Sequence, residues 1–560
     1  MKYFPLPATG LAVLFFGVVT LYAAPAPEPK AAAPATGPFA AEELQRSTVP
    51  LRPGLPGTIP FWNTFAKRFI FAPAFDYRAV QGAVRYSYEI VSHRDWSKYS
   101  FESDVPHAPL TPVWAGLPVG TFDLQVIGLS AEGRRLGLAG EGRYFRAATF
   151  NGPYHEPVLP YDQSARVALD RAMAKDYVQH WQTHQQPDPK YDLYRYAAKM
   201  FGSIVVGAVA HARLHAGEPE AARSTELARI VADYLIGISF PAGRVLEYFP
   251  PTYHGPELAK RPKSHQQPHN YMTIVAADTG HAYLDLYDLT KEAKYLEAAK
   301  RIARTYVKTQ LPLGSWHLYV NNQTGEPTAH QISIPTSTIN YLERLKQEHG
   351  MEGLDATMDR AFDWIMKNPV RTFDWLAQYE DVDMNRFAPY ERMSREQACD
   401  LAIYLFRKYP DRHDFMELAD DLIRFAEDQF ITWEQMEDLV VNAQRGILRP
   451  PPEIGQTGPG GYSKNWMTPL VHEQYGFWMP SARNTGLMIE TYWYAYAATK
   501  RAVYLAKAKS IANNFTRVQQ AHGGDYPTFF TKHPMPFWIN NSIYPAKVMM
   551  DFHAKVAKLP

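Results

Sequence analysis

The sequence predicts a mainly helical protein in which six helical hairpins close into an (α/α)6 toroid, preceded by a small antiparallel β-sandwich. Three observations carry this. The stretch 282–316 (AYLDLYDLTKEAKYLEAAKRIARTYVKTQLPLGSW) recurs later in the chain, a helical period dominates from residue 163 onward, and a two-residue period occupies 83–92 and 121–129.

The repeat needs no gap. A shift of 209 residues carries Tyr287, Thr290, Lys291, Tyr295, Leu296, Ala299, Lys300, Ile302, Ala303, Gln310 and Gly314 onto Tyr496, Thr499, Lys500, Tyr504, Leu505, Ala508, Lys509, Ile511, Ala512, Gln519 and Gly523. Internal identity at one offset marks a supersecondary unit stacked repeatedly around a shared core. Tyr295, Ala299, Ile302 and Tyr306 share one helical face, while Lys294, Lys300, Arg301 and Arg304 fall mostly opposite. Thr290 can cap this helix, and Pro312 and Gly314 stop it, so the unit reads as helix, short turn, helix, aromatic loop.

An entry helix is expected near 164–182, pairs near 198–238, 276–310, 338–367, 395–430 and 486–519, and a closing helix near 544–557. Entry and closing helices make the sixth pair. Stacked antiparallel pairs cannot leave their terminal faces bare, so ring closure is preferred to an open solenoid. Upstream, Val84, Tyr86, Tyr88 and Ile90 alternate with polar residues, as do Phe122, Leu124 and Val126, which reads as half-buried antiparallel strands.

The domain plan is therefore an export signal over 1–24, a Pro/Ala-rich linker over 25–54, the β-sandwich over 55–153 and the toroid over 154–560. Lys2 and the apolar run 11–22 ending at Ala23 and Ala24 read as a cleaved signal, because the run is short for a membrane anchor. A secreted or periplasmic location follows, with no stable membrane insertion after signal removal. Lys and Arg total 58 against 57 Asp and Glu, which gives no broad attraction to nucleic acid. Cys399 is the single cysteine, which rules out an intrachain disulfide and a cysteine-rich metal site.

The loops after each second helix emerge at one end of such a ring, and they are loaded with aromatics and acids: 240–255, 311–327, 370–392, 431–439 with 462–480, and 521–541. Flat rings suit stacking on sugar faces and carboxylates suit hydroxyl recognition, so a poly- or oligosaccharide is the expected partner. The richest stretch holds Glu380, Asp381 and Asp383 beside Trp375 and Tyr379; crowding there would protonate one acid and leave another ionised. Glu473 lies among His472 and Tyr475, and Tyr253 and His254 sit on a Pro-stiffened turn. Asp381, Glu380, Glu473, His254 and Tyr253 are the catalytic candidates. Trp316, Trp375, Tyr379, Asp383, His472, Tyr475, Trp466 and Trp538 are the substrate-binding candidates, with Trp478 a further platform. Calcium at Asp381 and Asp383, and zinc at His254, His265 and His269, are weaker readings of the same residues; no metal and no cofactor is expected. Glu427 and Asp428, at the unfavourable pole of a helix, are expected to fasten loop backbones.

Thr-Lys, Tyr-Leu and the two Ala of each copy, followed by Gln and Gly, resemble the hairpin signature of the six-hairpin glycosidase-like superfamily, and the likeness spans 163–560. The stretch around Trp114 resembles a late strand of fibronectin III or immunoglobulin-like modules. The first resemblance implies a carbohydrate-active enzyme. A glycoside hydrolase with paired carboxylates is the leading expectation. The alternatives are a lyase of uronic acids using Tyr253, His254, Tyr379, Arg386 and Arg392, a sugar epimerase, and a non-catalytic glycan-binding protein.

Overall fold

The computed structural model describes residues 37–51, 66, 68–262, 264–381, 393–435, 467–474, 479–530 and 537–559. The signal 1–24, Asp383, Arg386, Arg392, Trp466, Tyr475 and Trp478 lie outside these residues. Helix α1 (Ala40–Ser47) leads into a sheet of β1 (Arg68–Phe69), β2 (Arg85–Ser92), β3 (Lys98–Ser103), β4 (Gly120–Leu129) and β5 (Arg135–Arg146), with the short α2 (Thr111–Trp114) between β3 and β4. The helices that follow are α3 (Tyr161–Met173), α4 (Asp176–His184), α5 (Ala197–Leu214), α6 (Pro219–Ile238), α7 (Val275–Thr290), α8 (Ala293–Thr309), α9 (Thr336–His349), α10 (Asp355–Lys367), α11 (Pro369–Thr372), α12 (Glu396–Lys408) and α13 (His413–Phe430). The chain closes with α14 (Ala482–Thr499), α15 (Ala502–Ala521) and α16 (Asn540–Val556).

The ring is present and closed. Helix α5 packs on α7, α7 on α9, α9 on α12, α12 on α14, α14 on α16, and α16 returns to α5. Each inner helix carries one outer partner: α6, α8, α10, α13 and α15 in turn, with α3 against α16. The sequence matches this two-layer arrangement. Inner helices are covered on several sides and are apolar and small, as in α5, where nearly every residue from Ala197 to Ala212 is buried. Close approach needs glycine: a Cβ on Gly280 of α7 would lie 2.3 Å from the Tyr341 ring of α9. Outer helices keep one apolar stripe, as in α8 with Tyr295, Ala299, Ile302 and Tyr306 buried.

The repeat is physical at both of its ends. Lys291 and Lys500 each close their inner helix in the left-handed region with φ 58°, and each backbone N–H donates to the carbonyl four residues back. Thr290 and Thr499 accept through Oγ1 from the N–H of Glu292 and Arg501, so they brace the turn from the end of the preceding helix rather than capping the next, where Glu292 and Arg501 stand. At the other end Gln310 donates to Gly314 O at 2.8 Å and Gln519 to Gly524 O at 2.9 Å; each also reaches the neighbouring hairpin, at Thr357 O and Ser164 O.

Two expectations are corrected. The β segment is one five-stranded sheet in the order β1-β5-β4-β2-β3, parallel only between β1 and β5; among the described residues no second sheet faces it. Its apolar face, with Tyr88, Ile90, Phe122, Leu124 and Val126, is buried in the common core, and Trp114 of α2 stacks on Tyr144 of that face at 5.9 Å. Val84 precedes the strand and is exposed. The expected linker also contains the docked helix α1, whose Glu43 meets the Nζ of Lys507 on α15 at 2.5 Å. Sheet and ring belong to one compact unit, 35–560. Arg68 of β1 pairs with Glu434 at 3.1 Å, and Asp428 at the end of α13 accepts from the N–H of Phe71 at 2.9 Å, the fastening role expected of that acid.

Candidate active site

All inner helices start at the same end of the ring, because each is entered from the loop that follows an outer helix, whereas the opposite ends are joined by short turns. Positive helix poles therefore converge where the aromatic loops cross. In the first turns of these helices stand Lys199 (α5), Asp278 (α7), Glu396 (α12) and Arg483 (α14). Lys and Arg are misplaced at a positive pole unless anions accompany them. Lys199 Nζ meets Glu380 at 2.7 Å, and Arg483 meets Glu396 at 2.7 Å and 3.1 Å.

The loop that ends at Asp381 is pinned from several hairpins. Tyr319 Oη donates to the Tyr379 carbonyl at 2.8 Å, and Tyr253 Oη and His265 Nε2 donate to the Glu380 carbonyl at 2.8 Å and 3.0 Å. Gln378 exchanges two bonds with the backbone of Ile334. Glu473 follows a two-residue strand, Leu470–Val471, paired antiparallel with Ile431–Thr432, and the wholly buried Arg395 donates to its carbonyl.

Asp278 and Asp381 are exposed and Glu473 and Asp400 half-buried, and each feels its neighbours' charges: Glu473 those of Asp381 and Lys199, Asp381 those of Glu380 and Lys199, Asp278 those of Arg483 and Lys199, and Asp400 those of Glu396 and Arg483. Acids and cations that act on one another in this way gather in one place, the recess at the mouth of the ring. Enclosure, and then the Glu380 charge, pushes Asp381 up to about 6. Enclosure, then Asp381, pushes Glu473 up to about 8, which also shows that these two acids lie within each other's field. Asp278 rises to about 6 mainly through enclosure, and Asp400, one turn below Glu396, is held well above the carboxylate range by enclosure and by Glu396. The cations stay charged: enclosure alone would lower Lys199, but Glu380 and Asp381 outweigh it. Trp538, half-buried, lies stacked on Tyr196 at 5.0 Å with Lys199 Nζ 5.2 Å from its ring.

Of the candidates named from sequence, Asp381, Glu380, Glu473 and Trp538 share this recess. His254 is half-buried, its N–H donates to the carbonyl of Arg195, and enclosure lowers its ring. Others are packing groups. Tyr253 is buried with its hydroxyl spent on Glu380 O, and burial holds that proton far above the usual phenol range. Trp316 is buried and donates to Tyr306 O, Trp375 is buried, Tyr379 is buried with its carbonyl engaged, and His472 is buried with Nε2 2.8 Å from Thr432 Oγ1. An aromatic loop can fold its rings inward as readily as outward, and these four fold inward. His254, His265 and His269 do not gather as a metal-ligand group. Sequence reading missed Lys199, Asp278, Glu396, Asp400 and Arg483. A cation in the first turn of a helix was the available signal for Lys199 and Arg483.

No family model matches the chain, and no curated protein matches it. Solved structures with a similar course of chain include a family 76 glycoside hydrolase from a bovine Bacteroides thetaiotaomicron strain (10% identity, 85% of this chain and 94% of that one, TM-score 0.46). A cellobiose 2-epimerase from Spirochaeta thermophila (11%, 71% and 99%, TM-score 0.47) and a sugar epimerase from a ruminal bacterium (12%, 70% and 100%, TM-score 0.45) are similar to the same degree. Likenesses at this level add no weight to a choice of function.

Proposed function

We propose that this protein is an exported carbohydrate-active enzyme that cleaves a glycosidic bond by hydrolysis, with Glu473 as general acid and Asp381 as the ionised partner. The observation that supports it is the split between two acids in one recess: near pH 7, a group at about 8 keeps its proton and a group at about 6 has lost it. Glu473 would donate its proton to the leaving oxygen while Asp381 activates water or attacks the anomeric carbon, the separation of the two carboxyls deciding which. The half-buried Trp538 ring would pack against a sugar ring, and Arg483 would hold Glu396 ionised beside it. Export rests on the apolar leader 11–22.

A β-elimination by Tyr253 is disfavoured, since its hydroxyl is buried and already donating. The test is a glycan panel incubated with wild type, Asp381→Asn and Glu473→Gln, read for new reducing ends and for ultraviolet absorbance. Reducing ends without absorbance, lost in both variants, support hydrolysis. An absorbing unsaturated product would replace hydrolysis with a lyase reaction, and glycan binding without turnover would leave a binding protein.

A further inference from the structure

Helix α5 carries a second cluster at its far end. His211 lies 12 residues after Lys199, about 18 Å along the helix from the recess. His211 Nε2 is 3.1 Å and His215 Nε2 is 2.9 Å from one and the same oxygen, Oδ1 of Asp170 on α3. The opposite ring nitrogens are held from outside: His211 Nδ1 is 2.8 Å from Ser224 Oγ and His215 Nδ1 is 2.6 Å from Glu218 Oε2. Both imidazoles are buried, whereas the Asp170 side chain is 43% exposed and leaves a path to solvent.

We propose that Asp170, His211 and His215 form a binding site for a divalent transition-metal ion of the zinc class. His215 carries the argument. It stands between two carboxylates, and a neutral imidazole has one N–H. With that hydrogen given to Glu218 from Nδ1, the lone pair on Nε2 faces a carboxylate oxygen, which requires a positive charge between them. A second proton is one solution; a metal ion is the other, and His211 Nε2, 3.1 Å from the same oxygen, would supply it with a third ligand atom. Tetrahedral zinc with bonds of about 2.0–2.1 Å sets its ligand atoms about 3.4 Å apart, so each histidine nitrogen needs to move from the Asp170 oxygen by only a few tenths of an ångström. The outer contacts reproduce the usual support of metal-bound histidines, in which the non-ligating nitrogen is fixed by a carboxylate or hydroxyl. The negative pole at the end of α5 favours a cation there, and Arg166, the nearby guanidinium, is bonded to the Leu214 carbonyl at 3.2 Å.

A comparable group elsewhere shows what a filled cluster looks like. Asp288, Glu348 and His349 also gather, but Arg344 occupies the centre, 2.9 Å from Asp288 and 3.0 Å from Glu348.

The test is a calorimetric titration of the EDTA-treated, desalted full chain with zinc chloride at pH 8, beside Asp170→Asn, His215→Gln, Glu218→Gln and, as control, Asp288→Asn. The expected result is one equivalent bound by wild type and by the control, lost in Asp170→Asn and His215→Gln, and weakened about 10–100-fold in Glu218→Gln. Zinc should also raise the melting temperature of wild type and not that of Asp170→Asn. Because the Asp170 carboxylate is partly exposed, that variant gives the reading even if His215→Gln does not fold. No zinc uptake by wild type, or undiminished uptake by Asp170→Asn, overturns the proposal and leaves a doubly protonated His215 as the charge between the carboxylates.

Discussion

Two clusters of charge in this protein use the same residue types and come out opposite. Beneath α1, Lys507 is wholly buried and meets Glu43 at 2.5 Å and Glu427 at 2.7 Å, while Arg46 meets Asp420 at 2.8 Å. Burial there would raise the acids, but Lys507 and Arg46 outweigh it: Glu43 is lowered and Asp420 falls to about 2. In the recess at the ring's mouth, carboxylates outnumber cations and reach water, and Asp381, Asp278 and Glu473 rise to about 6, 6 and 8. The dry cluster pairs its charges and clamps α1 and α13 to α15. The wet one has acids pushed toward neutral pH that also reach water, the combination proton transfer uses; Asp428, likewise raised to about 6, is buried and spent on the backbone of Ile70 and Phe71.

The comparison can be broken most forcefully at the recess. Asp381→Asn and Glu473→Gln are each expected to lower kcat/KM on any glycan turned over by about 10²–10⁴-fold, the usual worth of a positioned acid or base, with melting temperatures close to wild type. Lys507→Met should do the reverse. Removing the cation strands Glu43 and Glu427 together in the interior and is expected to cost about 3–5 kcal/mol in urea unfolding, without changing the turnover of the folded fraction. A smaller effect sharpens the roles. Activity needs Asp381 ionised and Glu473 protonated, so kcat/KM should rise through about pH 6, fall through about pH 8 and peak between them.

The ring was legible because it is written twice. Thr290 and Thr499, Lys291 and Lys500, and Gln310 and Gln519 recur because each pair builds the same turn and the same tie to the next hairpin. The acids of the recess were legible only where they crowd in sequence, at Glu380 and Asp381, or stand out in a short loop, at Glu473. Asp278, Glu396 and Asp400 look in sequence like ordinary helical acids, because their meeting depends on ring closure and not on local spacing. Trp316 and Trp375 misled for the converse reason: a loop that spans the mouth needs a core of its own, and these rings supply it. The β segment announced its strands through alternation, but what packs on them is a tertiary choice, and among the described residues Trp114 stacks there where no second sheet does.

The central claim is that Asp381 and Glu473 share one recess and divide their protons around neutral pH. Carboxyl 13C NMR titration of Glu473 in wild type and in Asp381→Asn tests it without any substrate. The wild-type midpoint is expected near pH 8, and in Asp381→Asn it should move down, because a negative neighbour has been removed. A Glu473 midpoint in the ordinary carboxylate range, or one unmoved by Asp381→Asn, would contradict the account.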